Sequence, residues 1–167
     1  ELETLMDIFA DAFRQVGDDL RIHGSRVRVC AIGHRELLPE RVREAIAYAE
    51  EKTAHYDDYR YNIAIAYGGR QEIIQAIRQL AHKVQVGELE PDEIDTEMVS
   101  KHLYTGDLPD PDLILRTSGE ERVSNFLLWQ LAYSEFYFAD VYWPALRKVD
   151  FLRAIRAYQQ RRRRRGL

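Results

Sequence analysis

The stretch from Arg116 to Asn125, RTSGEERVSN, holds the residue types of this chain that are best suited to chemistry. Two arginines and a serine follow a short apolar run, 113–115, that is typical of a buried strand. Arginine forks bind phosphate oxygens in pairs, and turn amides with a hydroxyl complete an anion site. Glu135 lies ten residues after Asn125, and a carboxylate there could hold the Mg²⁺ that accompanies a diphosphate. The pattern indicates a phosphorylated ligand.

The two arginines and the serine also have a simpler interpretation, which requires no bound ligand. Arg116 and Arg122 could form surface ion pairs with Glu120 or Glu121. Ser124 could cap a helix that begins just after it, with or without binding phosphate. Spacing alone leaves both interpretations open.

Strands and helices must alternate to place this motif at the end of a strand. Strands are predicted at 27–32, 61–67, 113–115 and 136–142. Helices are predicted from the first residues to about 20, from Pro39 onward, and over 73–84, 91–103 and 126–132. Gly87 is the expected stop of the 73–84 helix, and a final helix is predicted from about Asp150, its expected N-cap. Such alternation implies parallel pairing with right-handed crossovers. The sequence predicts an α/β fold, a single domain with a mainly parallel central sheet flanked by helices, in which ligands bind beyond the strand ends.

Composition indicates one globular domain spanning 1–167. The 167 residues are 46% hydrophobic and 31% charged, with a net charge of −4. The single Cys30 cannot form an internal disulfide, and no signal-peptide pattern is present, so we expect a cytoplasmic protein. Because a helical stripe is already running at the first residues, we also expect a fragment that lacks its first strands.

A run of five arginines, 161–165, makes the tail 161–167 strongly basic. It could be a solvated helix end, where cations suit the helix dipole. It could also contact anionic lipid headgroups and give peripheral membrane binding. Nucleic-acid binding is disfavoured, because no aromatic residues are interleaved with the arginines.

Five segments of the chain together resemble the cis-prenyltransferases, the undecaprenyl diphosphate synthase family. The segments are 62–70 (NIAIAYGGR), 116–130 (RTSGEERVSNFLLWQ), 132–135 (AYSE), Trp143-Pro144 and 164–166 (RRG). They extend over most of the chain, and the segment that begins at Arg116 is highly specific.

The resemblance implies that isopentenyl diphosphate condenses with an allylic diphosphate, repeatedly, to give a long cis-polyprenyl diphosphate. Arg116, Arg122 and Ser124 take the positions of the family's residues that bind isopentenyl diphosphate. Glu135 takes the position of a residue that helps to hold Mg²⁺.

Other positions acquire roles through the same resemblance. Arg164 and Gly166 match a C-terminal Arg-x-Gly that reaches from one subunit into the site of its partner, which implies a homodimer or a heterodimer with a related subunit. Asn62, Gly69 and Arg70 are expected to support the site, although a glycine pair at a strand-to-helix turn is usually geometric.

The chain departs from the family pattern in two places. Ala66 stands where many members have a second asparagine, and the N-terminal Asp-Gly-Asn-Gly-Arg loop is absent. That loop carries the family's catalytic aspartate and the arginines for the allylic diphosphate, so the catalytic residue is not assigned. A non-catalytic scaffold subunit remains the alternative. Leu5, Phe9 and Phe13 are predicted either to line a product tunnel or, more simply, to pack in the core.

Overall fold

The computed structural model describes residues 2–161. The chain forms two compact units, one up to Gly68 and one from Gly69 onward. Among the described helices, none is long and apolar enough to cross a membrane.

The first unit packs helices on a parallel strand pair. Its elements are α1 (Leu2–Asp18), α2 (Leu20–Gly24), β1 (Val27–Ile32), α3 (Glu40–Thr53) and β2 (Tyr59–Ala64). In the β1–β2 register Val27 lies opposite Tyr59 and Ile32 opposite Ala64. The core consists of apolar side chains from α1, β1, α3 and the segments after β1 and β2, namely Ala10, Phe13, Val29, Ala31, Leu38, Val42, Ala45, Ile46, Ala49 and Ile65.

The three α1 residues considered for a tunnel differ in their burial. Phe13 is only 3% exposed and belongs to the core, and Phe9 packs against the core while partly buried. Leu5 is 43% exposed. Core packing therefore accounts for Phe13 and Phe9 without a tunnel.

The second unit holds the arginine motif. Its elements are α4 (Gly69–Gln85), α5 (Thr96–Lys101), β3 (Leu113–Arg116), β4 (Glu135–Phe138) and α6 (Lys148–Gln160), with 3₁₀ turns at Pro91–Glu93, Gln130–Tyr133 and Trp143–Ala145. β3 and β4 are parallel, with Leu113 opposite Glu135 and Arg116 opposite Phe138.

Glu72 of α4 anchors the segment that precedes β4. This carboxylate is 1% exposed and accepts hydrogen bonds from Gln130 Nε2 at 3.2 and 3.3 Å and from the Tyr104 amide at 2.8 Å. Gln130 Nε2 also donates to Thr105 Oγ1 at 2.9 Å. A buried carboxylate is tolerated because these donors replace water, and the network ties the segment that precedes β4 to α4.

The mixed α/β class and the parallel pairing are confirmed, with the strands assigned to two separate two-stranded sheets. The helix stop at Gly87 is also confirmed. Gly87 has φ +75°, and the Glu88 amide donates to Lys83 O at 2.9 Å, as in a Schellman C-cap. β2 begins two residues before its predicted start, and β4 ends at Phe138, well before Tyr142.

Two helix predictions are wrong, and a third helix is present but has a different N-cap from the predicted Asp150. The 126–132 helix is replaced by turns and a 3₁₀ turn, because Leu127 has φ +45°. The 91–103 helix is broken at Asp95, whose side chain caps α5 by accepting from the Met98 amide. α6 begins at Lys148, and Asp150 sits inside its first turn, where it accepts from the Arg147 amide at 3.2 Å.

Candidate functional site

The arginine motif begins at the last residue of β3 and continues in a loop fixed to the chain beyond β4. The Ser118 amide donates to Val141 O at 2.8 Å, and the Gly119 amide donates to Ala139 O at 3.1 Å. These two amides are therefore engaged by the protein. The predicted anion cradle of turn amides does not include them.

The loop backbone is strained at several non-glycine positions. Ser118, Ser124, Asn125 and Leu127 have φ of 70°, 47°, 63° and 45°. Left-handed conformations of such residues are uncommon and unfavourable. They persist only where surrounding contacts determine them, which occurs preferentially at functional sites.

Asn125 supplies the N-terminal cap of α4. Its carbonyl accepts from the Gly69 amide at 2.7 Å, and its Oδ1 accepts from the Arg70 amide at 2.9 Å. A Cβ on Gly69 would lie 2.9 Å from Leu128 Cγ and 3.0 Å from Leu128 N. Gly69 and Arg70, predicted as supporting residues, thus contact the motif through their backbone.

The sequence analysis did not predict this role of Asn125, and it considered Ser124 only as the cap of a different helix, expected to begin near Asn125. No helix starts beside Ser124, so that interpretation is wrong. Two features of the sequence could have indicated this role. Asparagine is a preferred capping residue, and α4 begins at a glycine with no capping side chain before it.

Arg116 is the central residue of the site. Its Nη1 donates to the Arg122 carbonyl oxygen and to Ser124 Oγ at 2.9 Å. Its Nη2 donates to Glu120 Oε2 at 2.5 Å. The side chain is 23% exposed, so these contacts hold a guanidinium rigidly at the end of β3, and Ser124 keeps its hydroxyl proton as a donor.

Glu120 bridges the two arginines, because Arg122 Nη2 lies 2.6 Å from its other oxygen, Oε1. The hydrogen bond from Arg116 and the charge of Arg122 hold the pKa of Glu120 below its ordinary value. The ion pairs expected in the simpler interpretation are therefore present. They do not exclude ligand binding, because Arg122 is 64% exposed and has donors left over.

A cavity of about 220 Å³ adjoins these groups. Polar atoms of the motif stand beside an apolar lining that includes stacked rings of Phe136 and Phe138, with centroids 5.9 Å apart. The lining residues are Ile114, Leu115, Arg116, Arg122, Val123, Ser124, Phe126, Leu131, Phe136 and Phe138. Pockets for drug-sized ligands usually occupy about 300–1,000 Å³, so this cavity suits a smaller molecule with one anionic end and one apolar end.

Glu135 does not line this cavity. Side chains alternate between the faces of a strand, so the register places Arg116 and Phe138 on one face and Glu135 on the other. Three residues of register separate Glu135 from Arg116, which is about 10 Å along the strands. Its Oε2 instead accepts from Arg161 Nη1 at 2.8 Å.

The donor set around Glu135 is sparse for a metal. In residues 2–161 no group of three or more His, Cys, Asp or Glu side chains could hold an ion. Mg²⁺ is usually held by one or two carboxylates, with water and substrate phosphates completing its shell. Glu135 is a single carboxylate and is 29% exposed. It could hold Mg²⁺ only if a bound diphosphate supplied further oxygen ligands to the ion.

Three further predicted site residues are not among the described residues of the second unit. Asn62 is on β2 in the first unit, opposite Cys30 in the register. Arg164 and Gly166 fall outside the described residues, as does all but the first arginine of the basic tail.

Comparison with known families identifies the family to which the chain belongs. A family model described as putative undecaprenyl diphosphate synthase matches residues 1–166. The chain belongs to this family. The resemblance carried by its motifs is therefore confirmed.

Relatives in the family include two archaeal proteins named tritrans,polycis-undecaprenyl-diphosphate synthase (geranylgeranyl-diphosphate specific). Those of Methanocaldococcus jannaschii and Methanopyrus kandleri are each 58% identical over 99% of this chain. The chain covers 60% and 61% of their lengths. It thus spans about three fifths of the curated relatives it matches.

Two solved structures in the family have a similar fold. Lavandulyl diphosphate synthase from Lavandula x intermedia, in complex with dimethylallyl diphosphate, is 38% identical with a TM-score of 0.92, covering 97% of this chain and 70% of the other. A probable undecaprenyl diphosphate synthase from Campylobacter jejuni is 35% identical with a TM-score of 0.82, covering 98% and 73%.

Proposed function

We propose that this chain is the isopentenyl-diphosphate-binding part of a cis-prenyltransferase, which elongates an allylic diphosphate into a cis-polyprenyl diphosphate. The observation that carries the proposal is the cavity at the end of β3. Arg116, Arg122 and Ser124 stand on its polar side, and Phe136 and Phe138 lie on its apolar side. Its two ends match the diphosphate and the five-carbon group of isopentenyl diphosphate.

In this mechanism the residues act by positioning. Arg116, Arg122 and the Ser124 hydroxyl hold the diphosphate, since charge-assisted hydrogen bonds from arginine forks are strong and directional. The apolar side of the cavity excludes water and orients the double bond toward the allylic carbon. As diphosphate leaves that carbon, positive charge develops there, and preorganised groups must stabilise the departing anion.

The relatives support a specific allylic substrate. Eight relatives that are 48–58% identical all have names specifying geranylgeranyl diphosphate. We therefore extend the proposal to geranylgeranyl diphosphate as the starter. The motif residues do not select it, because they hold the other substrate.

Mg²⁺ belongs to the proposal as a partner of the diphosphate, whose charge it would neutralise when bound. Glu135 is the carboxylate assigned to hold it. Because Glu135 and Arg116 lie on opposite faces of one β3–β4 pair, this role fits best if Glu135 serves the site of a second copy. A homodimer is therefore part of the proposal.

The alternative, a non-catalytic scaffold subunit, has no observation in its favour. A scaffold does not require two arginines and a serine assembled around a cavity. The distinguishing experiment is incorporation of labelled isopentenyl diphosphate by the full-length protein with Mg²⁺ and either geranylgeranyl or farnesyl diphosphate. We expect a lengthened product, formed preferentially from geranylgeranyl diphosphate. Incorporation that appears only after a separate catalytic subunit is added would favour the scaffold.

A further inference from the structure

In the part of the chain that the structure describes, Glu120 is the one carboxylate that contacts both proposed diphosphate-binding arginines. Its Oε2 is 2.5 Å from Arg116 Nη2 and its Oε1 is 2.6 Å from Arg122 Nη2. Each oxygen of this carboxylate thus forms an ion pair with one guanidinium group. The motif assigns Glu120 no role of its own.

The arrangement solves an electrostatic problem of the site. Two guanidinium groups held around one small anion site repel each other, and Arg122, at 64% exposed, has no core packing to hold it there. A carboxylate between them replaces the repulsion by two attractions. The neighbouring Glu121 is exposed and is not part of the bridge.

The two arginines are not held equally. Arg116 has Ser124 Oγ and the Arg122 carbonyl as further partners, so it keeps its place without Glu120. Within residues 2–161, the one ion pair of Arg122 is to Glu120. The position of the Arg122 guanidinium therefore depends on this one carboxylate.

We propose that Glu120 is a positioning residue, an internal counterion that keeps the guanidinium of Arg122 beside that of Arg116 so that both forks meet a diphosphate together. The ligand uses the remaining N–H donors, because each guanidinium has five and only some are engaged by the protein. Glu120 stays in place when the ligand binds. The inference depends on the proposed function only for the identity of that ligand.

The test compares Glu120→Gln, which removes the charge at nearly constant shape, with Glu120→Asp, which keeps it, and with Glu121→Gln as the matched control. Binding of inorganic pyrophosphate to the full chain is measured by calorimetry. We expect Glu120→Gln to weaken the Kd roughly tenfold, the effect of losing a well-placed charged hydrogen bond. Glu120→Asp should recover part of the loss, and Glu121→Gln should bind like the wild type, with thermal midpoints showing that all variants are folded.

Steady-state kinetics of the full-length protein give a second measurement. The KM for isopentenyl diphosphate should rise in Glu120→Gln, while the KM for the allylic diphosphate stays unchanged. A general structural defect would change both.

Two results would overturn the inference. Unchanged pyrophosphate binding in Glu120→Gln would show that the arginines need no counterion. Tighter binding would show that the carboxylate competes with the ligand. If the wild type binds pyrophosphate in a Glu120-dependent way but incorporates no isopentenyl diphosphate, the proposed function fails and the inference stands; if it does not bind pyrophosphate, both fail.

Discussion

Arg116 and Arg122, which look equivalent in the sequence, have different surroundings in the structure. Arg116 is 23% exposed and held by Ser124, Glu120 and a carbonyl oxygen, whereas Arg122 is 64% exposed. Replacing Arg116 would release several partners at once and disturb the whole loop. Replacing Arg122 should remove one proposed ligand contact with little structural cost, so it is the better probe of binding.

Ser124 combines a chemical role with a strained backbone, and two substitutions separate them. Ser124→Ala and Ser124→Gly both remove the hydroxyl that accepts from Arg116, so both should raise the KM for isopentenyl diphosphate by a similar factor. Only glycine suits φ +47°. Ser124→Gly should therefore be more stable than Ser124→Ala by roughly 1 kcal/mol in denaturant unfolding. Equal stabilities would show that the left-handed backbone carries no strain.

The residue types predict a class of ligand for the site, but they do not predict its geometry. Arginines and serine in this order indicate an anion site wherever the loop folds. The ion pairs with Glu120 are local contacts that the sequence already suggested. The position of Glu135 on the other face of the strand pair depends on strand register. Strand register is set by the packing of one strand against its neighbours. The sequence of a single segment carries no information about that packing.

At the scale of elements, the start of α4 is fixed by the loop it caps. The first two amides of the helix donate to Asn125, and Gly69 permits the close approach of residues 125–128. Local sequence predicted α4 and its Gly87 stop because both are encoded within the helix. It failed for 126–132, where an apolar run of helical spacing is held in turns by contacts to α4.

The close packing at Gly69 gives a stability prediction. In Gly69→Ala the new methyl would lie 2.9 Å from Leu128 Cγ and 3.0 Å from its backbone nitrogen, so the loop must shift. We expect a loss of about 1–3 kcal/mol in the free energy of unfolding, together with a raised KM for isopentenyl diphosphate. Gly24→Ala is the control, because a Cβ at Gly24 has nothing within 4 Å. Equal effects of the two substitutions would refute the close approach.

The first turn of α6 gives a pH prediction. The hydrogen bonds from the Arg147 side chain and amide lower the pKa of Asp150 below its ordinary 3.8. Its ionised form is therefore stabilised by folding, an effect present above the unfolded pKa and lost as the pH falls through the folded pKa. Asp150→Asn should lower the thermal midpoint at pH 7, with the difference from wild type shrinking below about pH 4. A constant difference between Asp150→Asn and the wild type down to pH 2 would contradict the assignment.

At the scale of the whole molecule, the site described lies within the second unit. The chain covers 60% of the Methanocaldococcus jannaschii relative, so complete turnover is a property we assign to the full-length protein. For the chain itself, we propose that it holds isopentenyl diphosphate by its anionic end. That binding is the central claim.

The most direct measurement is the KM of the full-length protein for each of its two substrates in Arg122→Ala. The account predicts that the KM for isopentenyl diphosphate rises roughly tenfold to a hundredfold, as for a lost charged hydrogen bond, while the KM for the allylic diphosphate is unchanged. Arg78→Ala, at an exposed position on α4, is the control and should leave both values as in the wild type. An unchanged KM for isopentenyl diphosphate in Arg122→Ala, or an equal rise in both values, would contradict the assignment of this cavity.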